Sequence, residues 1–340
     1  MLQQNLKIGW VGFHQEGIPA LLGLKESGHR LEAVITLQDD ALSRRSAAAS
    51  YATVLEGWDV PLHAVQNIND ASAVELLQGL DLDLLFVIGW SQILNSQTLS
   101  TARVGVIGAH ASLLPHNRGS APINWALIYG QTKTGNTLIW LTEDVDNGEI
   151  VDQMEFPVTP YDTCETLYDK VADSNHTMIQ RLLPRLFAGE KPGRPQPATD
   201  PPLLPRRRPA DGLMNWNQSA GDVYNFVRAL TRPYPGAFSF LNGRRWIIQS
   251  CQLLPAMPET RQTETLPSPL SPSATHASPG QILGLAFSPV QEACGVVVQC
   301  DGAQIVILEI EDLDGTRLSG QALTEHAITN NWTGNVWANE

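Results

Sequence analysis

The sequence predicts an α/β amino-terminal domain with a mostly parallel sheet, followed by a smaller β-barrel-like domain. Three observations predict it. Apolar runs alternate with helically spaced stretches up to residue 188, a proline-rich segment then breaks all periodicity, and short β-like runs dominate the carboxyl-terminal third. With 340 residues, 43% of them hydrophobic and 17% charged, the chain has enough apolar side chain for two ordinary cores.

The first run, Lys7 to Phe13, is β-like. Ile18 to Ser27 carries helical spacing, and Gly28 punctuates before a second strand, Glu32 to Thr36. A helix near Ala47 to Glu56, a strand around Pro61 to Ala64, a helix across Ala71 to Gly79 and a buried strand from Leu82 to Ile88 continue the pattern. Strands separated by helices imply a Rossmann-like sheet covered on both faces, with ligands at the carboxyl ends of its strands. Val104 to Gly108 extends the sheet, Pro122 to Tyr129 reads as a helix, Asn136 to Leu141 as a strand, and Thr163 to Ala188 as the closing helix.

Gly189 to Pro209 holds seven prolines together with Arg206, Arg207 and Arg208. The first domain is therefore expected over 1–189 and a linker over 190–212. Beyond it, Ser219 to Leu230 reads as a helix, and Gly243 to Leu253, Gly280 to Phe287, Gly295 to Cys300 and Gln304 to Ile310 as strands of a β domain over 213–330. Within that domain, Leu254 to Pro279 carries six prolines, four serines and no aromatic residue, so a disordered-like surface insertion is expected at 254–279.

Charge and cysteine usage narrow the function classes. Thirty-five acidic against 22 basic residues give a net charge of −13, which disfavours an extended nucleic-acid face and leaves room only for a local basic strip. The four cysteines, Cys164, Cys251, Cys294 and Cys300, include no C-x-x-C pair, so neither a disulfide scaffold nor a metal cluster is expected, and a cytoplasmic setting fits. No apolar run approaches the roughly 20 residues of a membrane span, and the amino terminus lacks a secretory pattern. A soluble protein without a membrane partner is expected.

The stretch from Gly105 to Gln153 concentrates the chemistry. His110 and Asp146 each follow an expected strand by a few residues, which places both at the edge where such sheets bind ligands. A histidine facing a carboxylate is a general acid/base unit, because the carboxylate fixes the imidazole's tautomer, or else a structural hydrogen-bonded pair. Spacing alone leaves both readings open. Gly9-x-x-Gly12 lacks the rest of a dinucleotide fingerprint, and His14 at a strand end reads as a solvated loop residue.

The ordered set His110-Ala-Ser112-Leu113-Leu114-Pro115-x-x-Arg118-Gly119, Trp125-Ala126, Gly130, Gly135, Thr137 and Asp146-x-Gly148 resembles the signature of folate-dependent formyltransferases. Trp90 to Leu94 upstream, and Trp216, Val227 to Ala229 and Pro233 to Phe238 downstream, extend the resemblance to the tRNA and amino-sugar branches of that family. It implies transfer of a formyl group from 10-formyltetrahydrofolate to a primary amine. By the same resemblance, His110 would stabilise the oxyanion or move a proton, and Asp146 would orient His110 and accept the amine's proton. Ser91, Gln92, Ile93 and Leu94 would line the pterin, with Leu141 to Val145 as a second wall, and Ser112 and Arg118 would touch substrate. Arg118 has donors suited to a carboxylate or phosphate; its structural alternative is to tie the loop to backbone carbonyls.

One position departs from the pattern. Where the family reads Asn-x-His, with the Asn amide donating to the formyl oxygen, this chain has Gly108-Ala109-His110. A missing donor of that kind costs about 100- to 1000-fold in rate unless another group replaces it. Hydrolysis of the formyl donor, or folate binding without turnover, therefore stands beside transfer. For the acceptor, a small-molecule amine on a nucleotide-linked sugar fits best. A tRNA is the weaker fit, because the segment Thr36 to Ser46 is acidic first and has no lysine. No feature of the sequence sets an oligomeric state.

Overall fold

The computed structural model describes residues 6–198, 202–254 and 277–338. The chain divides into two units, residues 1–126 with 131–206, and residues 127–130 with 207–340. Most of the expected insertion, residues 255–276, lies outside the described residues.

In the first unit, β1 (Ile8–Val11) buries all four of its residues, as a strand covered on both faces must. The chain continues through α1 (Ile18–Glu26), β2 (Leu31–Leu37), α2 (Asp39–Leu42), α3 (Tyr51–Val54), β3 (Leu62–Val65), α4 (Ala71–Gly79), β4 (Leu82–Val87), α5 (Ser96–Leu99) and β5 (Ala102–His110). It then adds α6 (Pro122–Ile128), β6 (Lys133–Trp140), β7 (Ile150–Pro157) and α7 (Cys164–Phe187). The sheet order is β3-β2-β1-β4-β5-β6-β7. β1 to β5 pair in parallel, and β6 and β7 add on antiparallel. This is the expected α/β, Rossmann-like arrangement, with the order reversing between β1 and β4.

Alternating side chains of the strands feed two cores. Trp10 and Phe86 pack with Leu24 of α1 and Leu182 of α7, whereas Val11, Ile35 and Val87 pack with Leu77 of α4. The helix expected over 47–56 shrinks to the single turn α3. Ala47 adopts φ 52, and its carbonyl and the Ala49 N–H are taken by Gln15 N and Phe13 O, at 3.1 and 2.8 Å. Those bonds tie the segment to the end of β1 and prevent a continuous helix.

The start of α7 is held electrostatically. Burial alone would raise the Asp162 carboxyl, but bonds from Lys170 Nζ, the Thr159 N–H and the Thr166 hydroxyl, at 2.7, 2.7 and 2.8 Å, hold it down to about 2. A carboxyl depressed in the folded state stabilises the fold above its unfolded value, and that contribution fades as pH falls from about 4 to 2. Asp162→Asn is expected to cost about 2 kcal/mol at pH 7 and almost nothing at pH 2, as read by urea unfolding at the two pH values.

The proline-rich segment expected as part of a linker is stitched to the first unit up to Arg206. Arg194 and Ile150 exchange both backbone bonds, at 2.8 and 2.9 Å, and Leu204 N donates to Arg118 O at 2.7 Å while its carbonyl accepts from Ser120 N at 3.0 Å. Two indoles add to this: Trp140 Nε1 donates to Pro192 O and Trp125 Nε1 to Pro205 O, at 2.7 and 3.1 Å. Proline removes donors but leaves every carbonyl free to accept, and the segment is anchored largely through those carbonyls.

The second unit holds α8 (Ala220–Leu230), β8 (Ala237–Leu241), β9 (Arg244–Leu253), β10 (Ile282–Ala286), β11 (Gly295–Gln299), β12 (Gln304–Glu311), β13 (Arg317–Ser319) and α9 (Gly320–Thr329). Its antiparallel sheet runs β10-β11-β12-β9-β8, with β13 on β12. Residues 336–338 bridge to Gln281 beside one edge and to Phe240 on the other, which gives the sheet its barrel-like closure. Trp216, Trp246, Trp332 and Trp337 form its aromatic centre, with Trp216 Nε1 satisfied by the Ser239 hydroxyl at 3.0 Å. No helix among the described residues is long and apolar enough to cross a membrane.

Candidate active site

β5 ends on His110, and the turn after it is built almost entirely from hydrogen bonds to carbonyls. Ser112 N donates to His110 O at 2.8 Å, the Ser112 hydroxyl to His116 O at 2.7 Å, and the Thr137 hydroxyl to Ser112 O at 2.6 Å. Gln153 Nε2 of β7 closes the set on Leu114 O and the Thr137 oxygen, at 3.0 and 2.9 Å. Asn117, at φ 57, thereby turns its carbonyl onto His110 Nε2 at 2.8 Å.

The other ring nitrogen, Nδ1, faces Asp146 Oδ2 at 3.5 Å. Each side of the ring thus meets an oxygen, and because a peptide carbonyl only accepts, the hydrogen of the Asn117 bond lies on Nε2. Asp146 sits in the loop between β6 and β7 at φ 51, and the same Oδ2 accepts the Gly119 N–H at 2.9 Å. Gly119 takes φ 104, and a Cβ there would lie 2.6 Å from Leu204 O, so a side chain would break the loop that presents this donor. His110 is buried, with 8% of its surface exposed.

The remaining expected site residues divide. Ser91 is exposed beyond β4, Ile93 is 63% exposed, Leu94 is buried in the core, and Leu141 and Val145 are half-buried. Gln92 is expected at the pterin, and its side-chain amide bonds Ile68 N and Gln66 O, at 2.8 and 2.9 Å, which leaves its backbone as the part that could face a ligand. Ser112, expected at substrate, is fully enclosed with its hydroxyl inside the turn. Arg118 points inward, with Nη2 donating to Gln196 Oε1 at 3.1 Å. Sequence reasoning misses Asn117, which no motif signals, and Gln196, which lies among prolines.

Two family models match the chain: formyl transferase over residues 17–183, and the formyl transferase C-terminal domain over residues 207–327. The chain belongs to the formyl transferase family. Among solved structures it is similar to HypX from Aquifex aeolicus in complex with tetrahydrofolic acid, with a TM-score of 0.64 and 15% identity over 97% of this chain and 49% of HypX. It is also similar to WlaRD, a sugar 3N-formyl transferase in the presence of dTDP and 5-N-formyl-THF, with a TM-score of 0.61 and 14% identity over 92% of this chain and 100% of WlaRD. At such identities the likeness is one of fold, and the chain spans about half the length of HypX.

In this chain, the space beside Gly108 is not vacant. A Cβ there would meet Leu141 Cδ2 at 2.6 Å and Cγ at 2.9 Å, so a leucine fills the place an amide would need. Gly108→Asn alone is expected to cost about 1–3 kcal/mol by overpacking, with most of it recovered in Gly108→Asn/Leu141→Ala, as read by urea unfolding. Burial pushes the thiols of Cys164 and Cys300 up to about 12 and raises Cys251 as well, which keeps these three protonated and unreactive. Among the described residues, no group of three or more His, Cys, Asp or Glu could hold a metal ion.

Proposed function

We propose that this chain transfers a formyl group from 10-formyltetrahydrofolate to a primary amine, with an amino sugar carried on a nucleotide as the acceptor class. The carrying observation is the 3.5 Å approach of His110 Nδ1 and Asp146 Oδ2 at the carboxyl edge of the sheet. The residues around it suit a reduced pterin. Trp90 Nε1 is a buried donor with no hydrogen-bond partner among the described residues, and Trp90, Leu94 and Leu141 belong to one apolar cluster. A heteroaromatic ring requires apolar contacts and a donor at its edge, and these side chains have that chemistry.

The folate supplies the formyl group when bound. Attack by an amine builds negative charge on the formyl oxygen and positive charge on nitrogen, so the protein must donate to one and deprotonate the other. Nδ1 of His110, the ring nitrogen that the Asn117 carbonyl does not hold, is the donor to the formyl oxygen, and Asp146 takes the amine's proton directly or through a water. With Leu141 in the place of an amide, this donation falls on His110. The Asn117 carbonyl holds the ring in place during the step.

Two features favour a small acceptor. The segment after β2 opens on Asp39 and Asp40, whose charge repels the phosphates of an acceptor stem, and the net charge of −13 acts in the same direction. A cytoplasmic setting accords with four buried cysteines that form no disulfide among the described residues.

The test is release of tetrahydrofolate from 10-formyltetrahydrofolate with a panel of nucleotide-linked amino sugars, with methionyl initiator tRNA, and with no amine. Release only with an amino sugar, together with a formyl-sized mass gain on that sugar, is the expected result. Release without amine would make the protein a hydrolase, formylated tRNA would replace the acceptor, and binding without release would make it a folate-binding protein.

A further inference from the structure

Gln196 lies in the proline-rich segment two residues past the Arg194 and Ile150 backbone pair, and it takes no part in formyl transfer itself. Its side chain makes three hydrogen bonds. Oε1 accepts from Arg118 Nη2 at 3.1 Å, while Nε2 donates to Asp146 O at 2.8 Å and to Gly148 O at 2.9 Å. A guanidinium only donates and a peptide carbonyl only accepts, so these three partners admit one orientation of the amide.

The surroundings of Arg118 strengthen that reading. Its side chain is more than nine-tenths buried, its Nε has no hydrogen-bond partner, and it forms no ion pair among the described residues. Among the described residues, the side-chain hydrogen bond it makes is to the Gln196 amide. On the far side of that amide, Asp146 holds φ 51, a backbone conformation that non-glycine residues keep only where neighbours hold it. Arg118 also immediately precedes Gly119, whose N–H bonds the Asp146 carboxylate at 2.9 Å. The two ends of the Asp146 residue, carbonyl and carboxylate, are therefore fixed from the Gln196 and Gly119 segments.

We infer that Gln196, oriented by Arg118, is a positioning residue that holds the Asp146 turn so its carboxylate faces His110 Nδ1. The inference rests on the reading of His110 and Asp146 as the reacting pair. It makes the proline-rich segment part of the site's support, and it gives Arg118 a role that needs no ligand.

The test uses the full chain with Gln196→Ala, Gln196→Glu and Arg118→Met. Gln196→Glu keeps an acceptor for Arg118 but loses both N–H donors, so it should behave like Gln196→Ala. Each variant is expected to lower kcat by about 100-fold, as displacement of a reacting group by an ångström does, with KM for the folate unchanged within about two-fold. The independent readout is the ¹⁵N spectrum of His110, which reports the hydrogen on each ring nitrogen; Nδ1 should shift in all three variants while Nε2, on Asn117, stays. Unchanged His110 signals in a folded variant would overturn the inference, as would a kcat loss matched by an equal loss of folded protein in the melting curve. If wild type transfers no formyl group at all, the proposed function fails, and the His110 spectra still decide the positioning role.

Discussion

Asp146→Asn should abolish most turnover while leaving the fold and the folate site intact. The reason lies in one atom. Asp146 Oδ2 both accepts the Gly119 N–H at 2.9 Å and faces His110 Nδ1 at 3.5 Å, so an asparagine whose amide oxygen takes that place keeps both neighbours. What it loses is the negative charge and the capacity to take a proton. General acid/base groups contribute about 100- to 10,000-fold, and the expected fall in kcat lies in that range. The thermal midpoint should move by no more than about 3 °C, corresponding to about 1 kcal/mol for a unit of this size. Rapid-quench measurement of a single turnover at saturating folate reads the chemical step directly. A variant that keeps at least a tenth of wild-type kcat would remove Asp146 from the chemistry and leave the His110 contact as a structural pair.

Why His110 and Asp146 are legible in the sequence, and Gln196 is not, depends on where each side chain gets its constraint. A strand run ends near 110 and another near 141, and the sheet's carboxyl edge is a consequence of chain order, so the two residues can be placed from spacing alone. The family signature then favours a reacting pair over a structural one. Gly108 is legible only as an absence. That Leu141 fills the space depends on side-chain packing between neighbouring strands, and no one-dimensional pattern encodes it. Gln196 is hidden by composition, because seven prolines abolish periodicity and suggest a free linker, whereas the carbonyls of that segment are well placed to accept.

The fold shows the same division. β7 escapes because its sequence, IVDQMEFP, mixes charge into a strand at the sheet's edge, where one side meets water. α9 escapes because its ten residues include exposed Gln, Glu and Thr between few apolar anchors, with Leu323 and Ala327 alone carrying the buried face among its hydrophobic residues. Both elements take their definition from partners far away in the chain.

The second large effect concerns a glycine that no catalytic argument needs. A Cβ on Gly148 would lie 1.6 Å from the carbonyl oxygen of Trp140 and 2.8 Å from its carbon. Unlike the Leu141 side chain beside Gly108, this neighbour is backbone at the end of β6, tied in place by the bond from Trp140 N to Glu149 O at 3.0 Å. Gly148→Ala therefore cannot be absorbed by a rotamer change; the loop that carries Asp146 two residues upstream has to lift away. That movement would break the Gln196 bond to Gly148 O at 2.9 Å as well. The expected result is a loss of at least about 3 kcal/mol in urea unfolding, toward the upper end of overpacking costs, and a fall in kcat of more than about 100-fold. Gly193→Ala is the matched control. Its Cβ would meet Glu149 Oε2 at 2.6 Å, the far end of an exposed side chain that can swing aside, so a cost below about 1 kcal/mol is expected. Equal losses from the two substitutions would show that the β6 end yields as readily as a surface carboxylate. The Asp146 turn would then owe its position to something other than the close approach of Gly148 to Trp140.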